Sequence, residues 1–583
     1  MLYFTVAWTG LFAICLTVGC GWLHWLQGAR IARSGDRAIA ALWLGLVVLS
    51  ISALAIAVFI PLSPLAGITA TAPWLLLALK SQAVRTELIG WARNLSFQSL
   101  LGYGLCSVAV AAFISQKVSW IDTGQYHYGF IQWLAEYGVT PGLALLNPQF
   151  GFVSAWFAIA APFDFAAFEG RVSTVMNGFI LLIAAVQMAI ALKRIARRQA
   201  QLSDWFLLIF LLVVCVLLVK TPLLAVITIS PSPDSAIALL SVAVAWSMLV
   251  NQSDVSPIEG RVSADLIPLV LSVGAVSIKL TALPLLPITV GFYLCRRIGQ
   301  GFSLKNCLKR LVIAGSLMLL LLLPFLASEV LVSGCPLYPS TTACLDLPWT
   351  LPTAATQNLA ESTHGWGRWF GQPPSGANRS LWLIQKWFNN NPSNRLIVVL
   401  ILASVCSMIH QLTALTTRKL RLSEFYSLFW LMALAVVGTA FMLLKAPMFR
   451  FGMSYVLLLP ILSISFLCDA GAQRKSGYLL TKYPLRPLRK LEHSLLFIGV
   501  FWAVALSGQS YSGLSDRLLI APPLPAVALQ VQKSNQITYF VSQDNRERCW
   551  SADLPCVSSI RPDVKLRNPT VGIRGGFILD ESL

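Results

Sequence analysis

The chain alternates between long apolar blocks and short basic interruptions. Apolar runs of about 16 to 25 residues recur from Leu2 onward, the length a helix needs to cross a hydrocarbon core of about 30 Å. The roughly ten-residue alternating strands of a transmembrane barrel do not occur. The pattern therefore predicts an all-α polytopic membrane protein. Its spans are expected near 2–26, 39–60, 65–80, 95–115, 172–192, 205–220, 234–250, 264–279, 282–295, 311–331, 395–413, 424–444, 451–468 and 493–509. That is about fourteen crossings, with twelve to fourteen compatible with the pattern. The pair at 264–295, interrupted by Pro284 and Pro287, reads either as a hairpin or as a broken helix.

Basic residues set the threading, because loops rich in Lys and Arg stay on the inner side. The groups Arg30/Arg33/Arg37, Lys80/Arg85/Arg93, Lys193/Arg194/Arg197/Arg198, Arg261, Arg296/Arg297, Arg418/Lys419/Arg421 and Arg474 to Lys490 all fall inside on this path. Between Lys117 and Lys193 only one net crossing fits. The apolar stretch 147–164 is therefore expected to lie in the interface or dip into it. No basic residue precedes the first apolar segment, so it reads as a real helix rather than a cleaved leader. The organisation expected is a transmembrane module 1–332 with an outer loop at 116–171, an outer loop 333–394, further helices over 395–509 and an outer tail 510–583. Both termini are expected outside.

Composition agrees. Of 583 residues 56% are hydrophobic and 11% charged, against about 25% charged in soluble proteins, and the mean hydropathy is +0.71. The net charge of +19 sits in the loops and reads as topology. With no zinc-finger spacing, basic helix or phosphate-binding Gly-Lys-Ser/Thr loop, nucleic acid is not an expected partner. Twelve cysteines are present, most in apolar helices. Two local pairs, Cys335/Cys344 and Cys549/Cys556, fall in expected outer regions, where they are predicted to form disulfides.

The stretch SWIDTGQYHYGFIQWLAEYG, 119–138, stands apart from its apolar neighbours. Wound as a helix, it puts Asp122, Gln125, Gly129, Gln132 and Glu136 on one face and His127, Phe130, Ile131, Leu134 and Tyr137 on the other. That predicts a helix lying on the membrane surface, with aromatics at headgroup depth. Each polar residue also has a plain structural reading. Asp122 is placed as an N-cap with Gln125 completing a capping box, Glu136 as a solvated residue and His127 as an interfacial ring. Asp234, in SPSPD, again sits at a helix start, and Lys279 sits where a lysine snorkels. Arg450, at an outer helix entrance, calls for an anion, either a lipid phosphate or a substrate phosphate. One outer carboxylate with two outer cations and no nucleophile motif suits sugar transfer from a lipid-phosphate carrier. A carboxylate takes the acceptor's proton and cations hold the leaving phosphate.

These residues resemble the GT-C class of integral membrane glycosyltransferases, which carry a catalytic acid in the first large outer loop. The resemblance implies a polyprenyl-phosphate-linked sugar donor, a saccharide or lipid acceptor, and a role in cell-envelope polysaccharide or glycoconjugate synthesis. It makes Asp122 the base, with His127 orienting base or substrate. It places the protein in the bacterial inner membrane. The class more often pairs its acids; here Asp122 is single, so a divalent metal is not indicated, and no other cofactor is. A closer resemblance is to a group of bacterial polytopic membrane proteins without a defined reaction. It is carried by DTGQYHY (122–128), VTPGLALLNPQFGFVSAWF (139–157), SPSPD (230–234), IKLTALP (278–284), SGCPLYPS (333–340) and CWSADLPC (549–556). Arg450, Lys279, Asp234, Tyr126 and Glu136 are the expected substrate-binding residues, with Trp366 and Trp369 as sugar-stacking or anchoring rings. A polysaccharide polymerase or ligase and a lipid-linked saccharide transporter or flippase are the competing readings; a transporter should show paired broken helices around a midplane site.

Overall fold

Two helices with small residues at their crossing start the body. α1 (Leu2–Trp25) and α2 (Ser34–Ala57) touch backbone to backbone. A Cβ on Gly19 would fall 1.7 Å from the Ala41 carbonyl oxygen, and one on Gly45 would fall 1.9 Å from that of Cys15. Only glycine permits this approach, the usual device where lipid supplies no hydrophobic drive between helices. The computed structural model describes the chain except residues 169, 251–261, 299–303, 369–372, 391–393, 396–397, 400, 407–408, 410–421, 447, 479–512, 514, 545 and 581–583. The expected span 493–509, part of 395–413, and the basic groups at 261, 418–421 and 482–490 lie outside the described residues.

The fold is mostly helical. Among the described residues, eight helices are long and apolar enough to cross a membrane: α1, α2, α5 (Phe97–Ile114), α8 (Val175–Ala196), α9 (Leu202–Lys220), and most of α14 (Leu304–Ser333), α17 (Leu422–Lys445) and α18 (Phe449–Tyr478). Four expected spans are shorter: α3 (Pro64–Lys80), α11 (Asp234–Val250), and the pair containing α12 (Ile267–Ile278) and α13 (Leu285–Ile298). At 1.5 Å per residue, a 17-residue helix reaches only about 25 Å. The structure thus gives eight full-length candidates among the described residues where about fourteen crossings were expected. The Pro-interrupted pair is a hairpin, because α13 runs back along α12 and touches Ala264–Leu266 at its start.

Helix ends gather at two poles. At one, Arg33, Asp36, Arg194 and Asp204 join the starts of α2 and α9 to the end of α8, with Arg194 Nη1 at 2.6 Å from Asp36 and 2.8 Å from Asp204. The other pole holds the end of α5, the starts of α11 and α18 and the tip of the α12–α13 hairpin.

The stretch 147–164 holds no helix of membrane-crossing length. It breaks into short turns around α7 (Ala155–Ala160), whose residues are all nearly buried. The surface helix expected at 122–137 takes a different position. Its apolar face, with Phe130, Ile131, Trp133 and Leu134, packs inside the protein against Phe150 and Phe157 rather than in headgroups. The segment 147–164 supplies apolar partners that a bilayer surface would otherwise offer.

The chain is also not wholly α-helical. The tail forms two antiparallel hairpins, β1 (Leu529–Ser534) with β2 (Ile537–Ser542), and β3 (Val564–Leu566) with β4 (Phe577–Leu579). Asn535 and Gln536 both adopt positive φ between β1 and β2, as a tight two-residue hairpin turn requires. Both disulfides are present, Cys335–Cys344 with Cα atoms 4.0 Å apart and Cys549–Cys556 with 5.9 Å.

Candidate functional site

Asp122 follows α5 and opens a single π-helical turn, Thr123–His127, that leads into α6 (Tyr128–Glu136). Such turns widen the helix by one residue and recur at functional sites. The Asp122 carboxylate makes no capping bond. It faces Arg450 instead, with Nη1 at 3.5 Å from Oδ2. The same Nη1 lies 3.6 Å from Asp234 Oδ2, and the Lys279 ammonium is ion-paired with Asp234 Oδ1. The four residues thus form an alternating row, Lys279–Asp234–Arg450–Asp122. Asp234 is a charge partner here rather than only a helix start, and Lys279 points at it rather than only at the interface.

Aromatic rings frame the row. Lys279 Nζ and the Arg450 guanidinium lie 4.3 and 4.5 Å from the centre of the Phe451 ring, and Arg450 also lies 5.0 Å from the Trp120 ring. The Arg450 contacts at 3.5 and 3.6 Å are longer than the 2.7–2.9 Å of a charge-assisted hydrogen bond. Its Nε and Nη1 are buried with no hydrogen-bond acceptor among the described residues. Donors held this way are suited to an incoming anionic oxygen.

The segment 147–164 holds this row in place. Asn177, fully buried in α8, donates to the carbonyls of Thr228, Ser230 and Ser232, just before Asp234, and accepts from Trp156 Nε1 at 2.7 Å. Ser154 Oγ donates to the Ile278 carbonyl at 2.8 Å, next to Lys279. Tyr455 donates to the Thr281 carbonyl at 3.1 Å and ties α18 to the hairpin tip. Residues 154 and 156 thereby set both acid and cation. Asn177 was legible as a polar residue in an apolar helix, a functional pointer in membrane proteins; Trp120 and Phe451 gave no signal beyond proximity in sequence.

His127 is buried, its ring 4.4 Å from that of Tyr126 and 5.4 Å from that of Phe157, and its Nδ1 has no partner among the described residues. Burial pushes the imidazole down to about 3, so it is neutral near pH 7. Burial also raises the Asp122 carboxyl above the ordinary carboxylate range, with Arg450 opposing. Tyr126 stands beside His127 in the same turn. Glu136 is not brought into the row: it is exposed, accepts from Gln132 at 3.1 Å, and lies about 20 Å along the helix from Asp122. The Trp366 and Trp369 side chains lie outside the described residues. A further buried acid, Asp164, accepts from the Tyr128 hydroxyl and is pushed up to about 6 by burial.

Among the described residues the space beside the row is small. A cleft of about 30 Å³, room for little more than a water molecule, touches Asp234 and Arg450 and is walled by Val214, Leu217, Leu224 and Met453. A cavity of about 760 Å³ lies at the opposite pole between Arg37, Glu87 and Trp91, where Arg37 and Glu87 already pair at 2.8 Å. Among the described residues no cluster of three His, Cys, Asp or Glu could hold a metal ion.

No curated protein and no solved structure matches the chain. One family model does match, over residues 1–457, a span that contains the whole of the row from Asp122 to Arg450. On that match the chain belongs to the family described as Domain of unknown function (DUF8201).

Proposed function

We propose that the protein is an integral membrane glycosyltransferase that takes sugar from a polyprenyl-phosphate carrier at the outer face of the membrane. The observation that carries this reading is the meeting of Asp122, Asp234, Lys279 and Arg450 at one pole. The acceptor hydroxyl attacks the sugar's anomeric carbon, the bond from that carbon to the carrier phosphate breaks, and Asp122 takes the hydroxyl proton. The negative charge left on the phosphate is held by Arg450 and Lys279, which Asp234 keeps side by side. A carboxylate with a raised proton affinity is a better base than a free one. The apolar cleft ending at Arg450 supports a carrier whose chain approaches through the bilayer; the small size of that cleft means helices must part for substrate to enter. Polymerase or ligase activity would use the same four residues. A row at helix ends favours transfer over transport, which draws on midplane sites.

Purified protein is expected to bind a short-chain polyprenyl phosphate, and Arg450→Gln to weaken that binding at least about tenfold. Equal affinity for the phosphate and for the uncharged polyprenol of the same length would sink the phosphate role.

The orientation and the crossing number belong to the same proposal. The four short helices and segments beyond the described residues would complete about fourteen crossings, with the site outside. In intact cells an impermeant thiol reagent is expected to label Ser375→Cys directly and Arg198→Cys only after permeabilisation. Equal labelling of the two overturns this topology.

A further inference from the structure

The tail beyond residue 457 lies outside the span the family model matches, yet it reaches the site. The Gly124 carbonyl, in the middle of the π-helical turn, accepts from two tail amides, Cys549 N–H at 2.7 Å and Trp550 N–H at 3.1 Å. The neighbouring Gln125 side chain donates to the Arg546 carbonyl at 3.2 Å. Gly124 has no room for a side chain: a Cβ would meet the Trp550 ring at 2.8 Å and the Arg548 Cβ at 2.9 Å. Trp550 is 3% exposed and packs with Val118, Tyr128 and Leu524, so half of this small apolar cluster comes from the loop flanking Asp122 and half from the tail.

The loop that offers the two amides is itself held at both ends. The Cys549–Cys556 bridge closes it, and its far end is bonded to β2 through Phe540 N–H to the Pro555 carbonyl at 2.9 Å and Val557 N–H to the Phe540 carbonyl at 3.0 Å. The tail is anchored elsewhere on the same pole. The chain's amino terminus donates to the Arg517 carbonyl at 2.6 Å, Arg171 to that of Ala521 at 2.8 Å, and Phe577 N–H to that of Pro141 at 2.9 Å.

A π-helical turn is rare and occurs mostly as a single turn inside a longer helix, frequently at functional sites. Gly124 lies two residues from Asp122, whose contact with Arg450, at 3.5 Å, is longer than a charge-assisted hydrogen bond. We propose that the disulfide loop 549–556 is a positioning clamp for the site: by binding the Gly124 carbonyl it holds the turn in register and aims Asp122 at Arg450. Cys549, Trp550 and Gly124 are then positioning residues; none of them touches the reacting atoms. The clamp itself is independent of the reaction, whereas its effect on catalysis rests on the transferase reading.

Hydrogen exchange on the full chain in lipid nanodiscs tests it. In Gly124→Ala and in Cys549→Ser/Cys556→Ser, amides over 123–130 are expected to exchange at least about tenfold faster, the effect of losing two backbone hydrogen bonds. Protection in α2 should stay unchanged and report an intact body. Trp550→Phe should keep most of the protection that Trp550→Ala loses, and it remains readable where the alanine variant unfolds. With a polyprenyl-phosphate sugar as donor, the clamp variants should lose at least about tenfold in kcat with donor KM within about twofold, because aim and not affinity is lost. Unchanged protection over 123–130 in both Gly124→Ala and the double serine variant overturns the clamp. A wild-type protein with no transfer activity would overturn the transferase reading alone, since the exchange measurement still decides the clamp.

Discussion

Replacing Asp122 by asparagine is expected to cut transfer at least about a hundredfold while leaving the protein folded. Asparagine matches aspartate in size and keeps one carbonyl oxygen toward Arg450, but it cannot take a proton. Arg450 retains Asp234 as a counter-charge, at 3.6 Å, so the substitution does not strand it. Donor KM should move little, because the phosphate is assigned to Arg450 and Lys279. The pH profile provides a second readout. A general base must be ionised, so the rate should fall as pH drops through the Asp122 value, which burial holds above the ordinary carboxylate range of about 4. His127, pushed down to about 3, stays neutral throughout and should add no limb near the usual imidazole range. Near-normal turnover by purified Asp122→Asn would remove Asp122 from the chemistry.

The second large effect is expected at Asp234. Its side chain is 5% exposed and neutralises Lys279 while also facing Arg450. Asp234→Asn would leave Lys279 without a counter-ion in a nearly closed site, and stranding one partner of a buried pair typically costs about 3–5 kcal/mol. The unfolding midpoint in detergent should drop by several degrees. Adding Lys279→Met removes the stranded charge and should recover a large part of the loss, the signature of direct coupling between contacting residues. Strictly additive losses in the double variant would mean that Asp234 acts through something other than Lys279. The Asp234→Asn variant should also bind polyprenyl phosphate differently from wild type, since the cations it holds would be free to separate.

Much of the helical layout was open to sequence reading, because a bilayer imposes one simple rule on span length and loop charge. The helices near 2–26, 97–114, 175–196, 202–220 and 307–333 sit where runs of apolar residues end at basic or proline-containing turns. Four expected spans, at 65–80, 234–250, 264–279 and 282–295, were short already in the sequence pattern, and they form helices below the length of a full crossing. The tail hairpin was signalled by alternation in LQVQKSNQITYFVS around Asn535 and Gln536, a local pattern easily overlooked beside so many apolar blocks. The helical wheel for 122–137 sorted buried from exposed residues correctly for Phe130, Ile131, Leu134 and Glu136. It missed what the apolar face would meet, because periodicity records that a face is apolar and not whether lipid or protein covers it.

The sequence by itself determined the chain's helical, membrane-length character, the unusual charges of Asp122, Lys279 and Arg450 in an apolar chain, and the pairing of neighbouring cysteines, all properties of composition and short spacing. Only the tertiary structure decided that these residues meet. Asp122 and Arg450 are more than three hundred positions apart, and no local rule links the end of α5 to the start of α18. Their meeting depends on the segment 147–164, whose Ser154 and Trp156 reach Ile278 and Asn177, and on a tail whose amides find the Gly124 carbonyl. Hydrogen bonds between distant backbone groups leave no periodic trace in the chain, because any residue can supply them. They exist only once packing has brought the groups together and removed the water that would otherwise satisfy them.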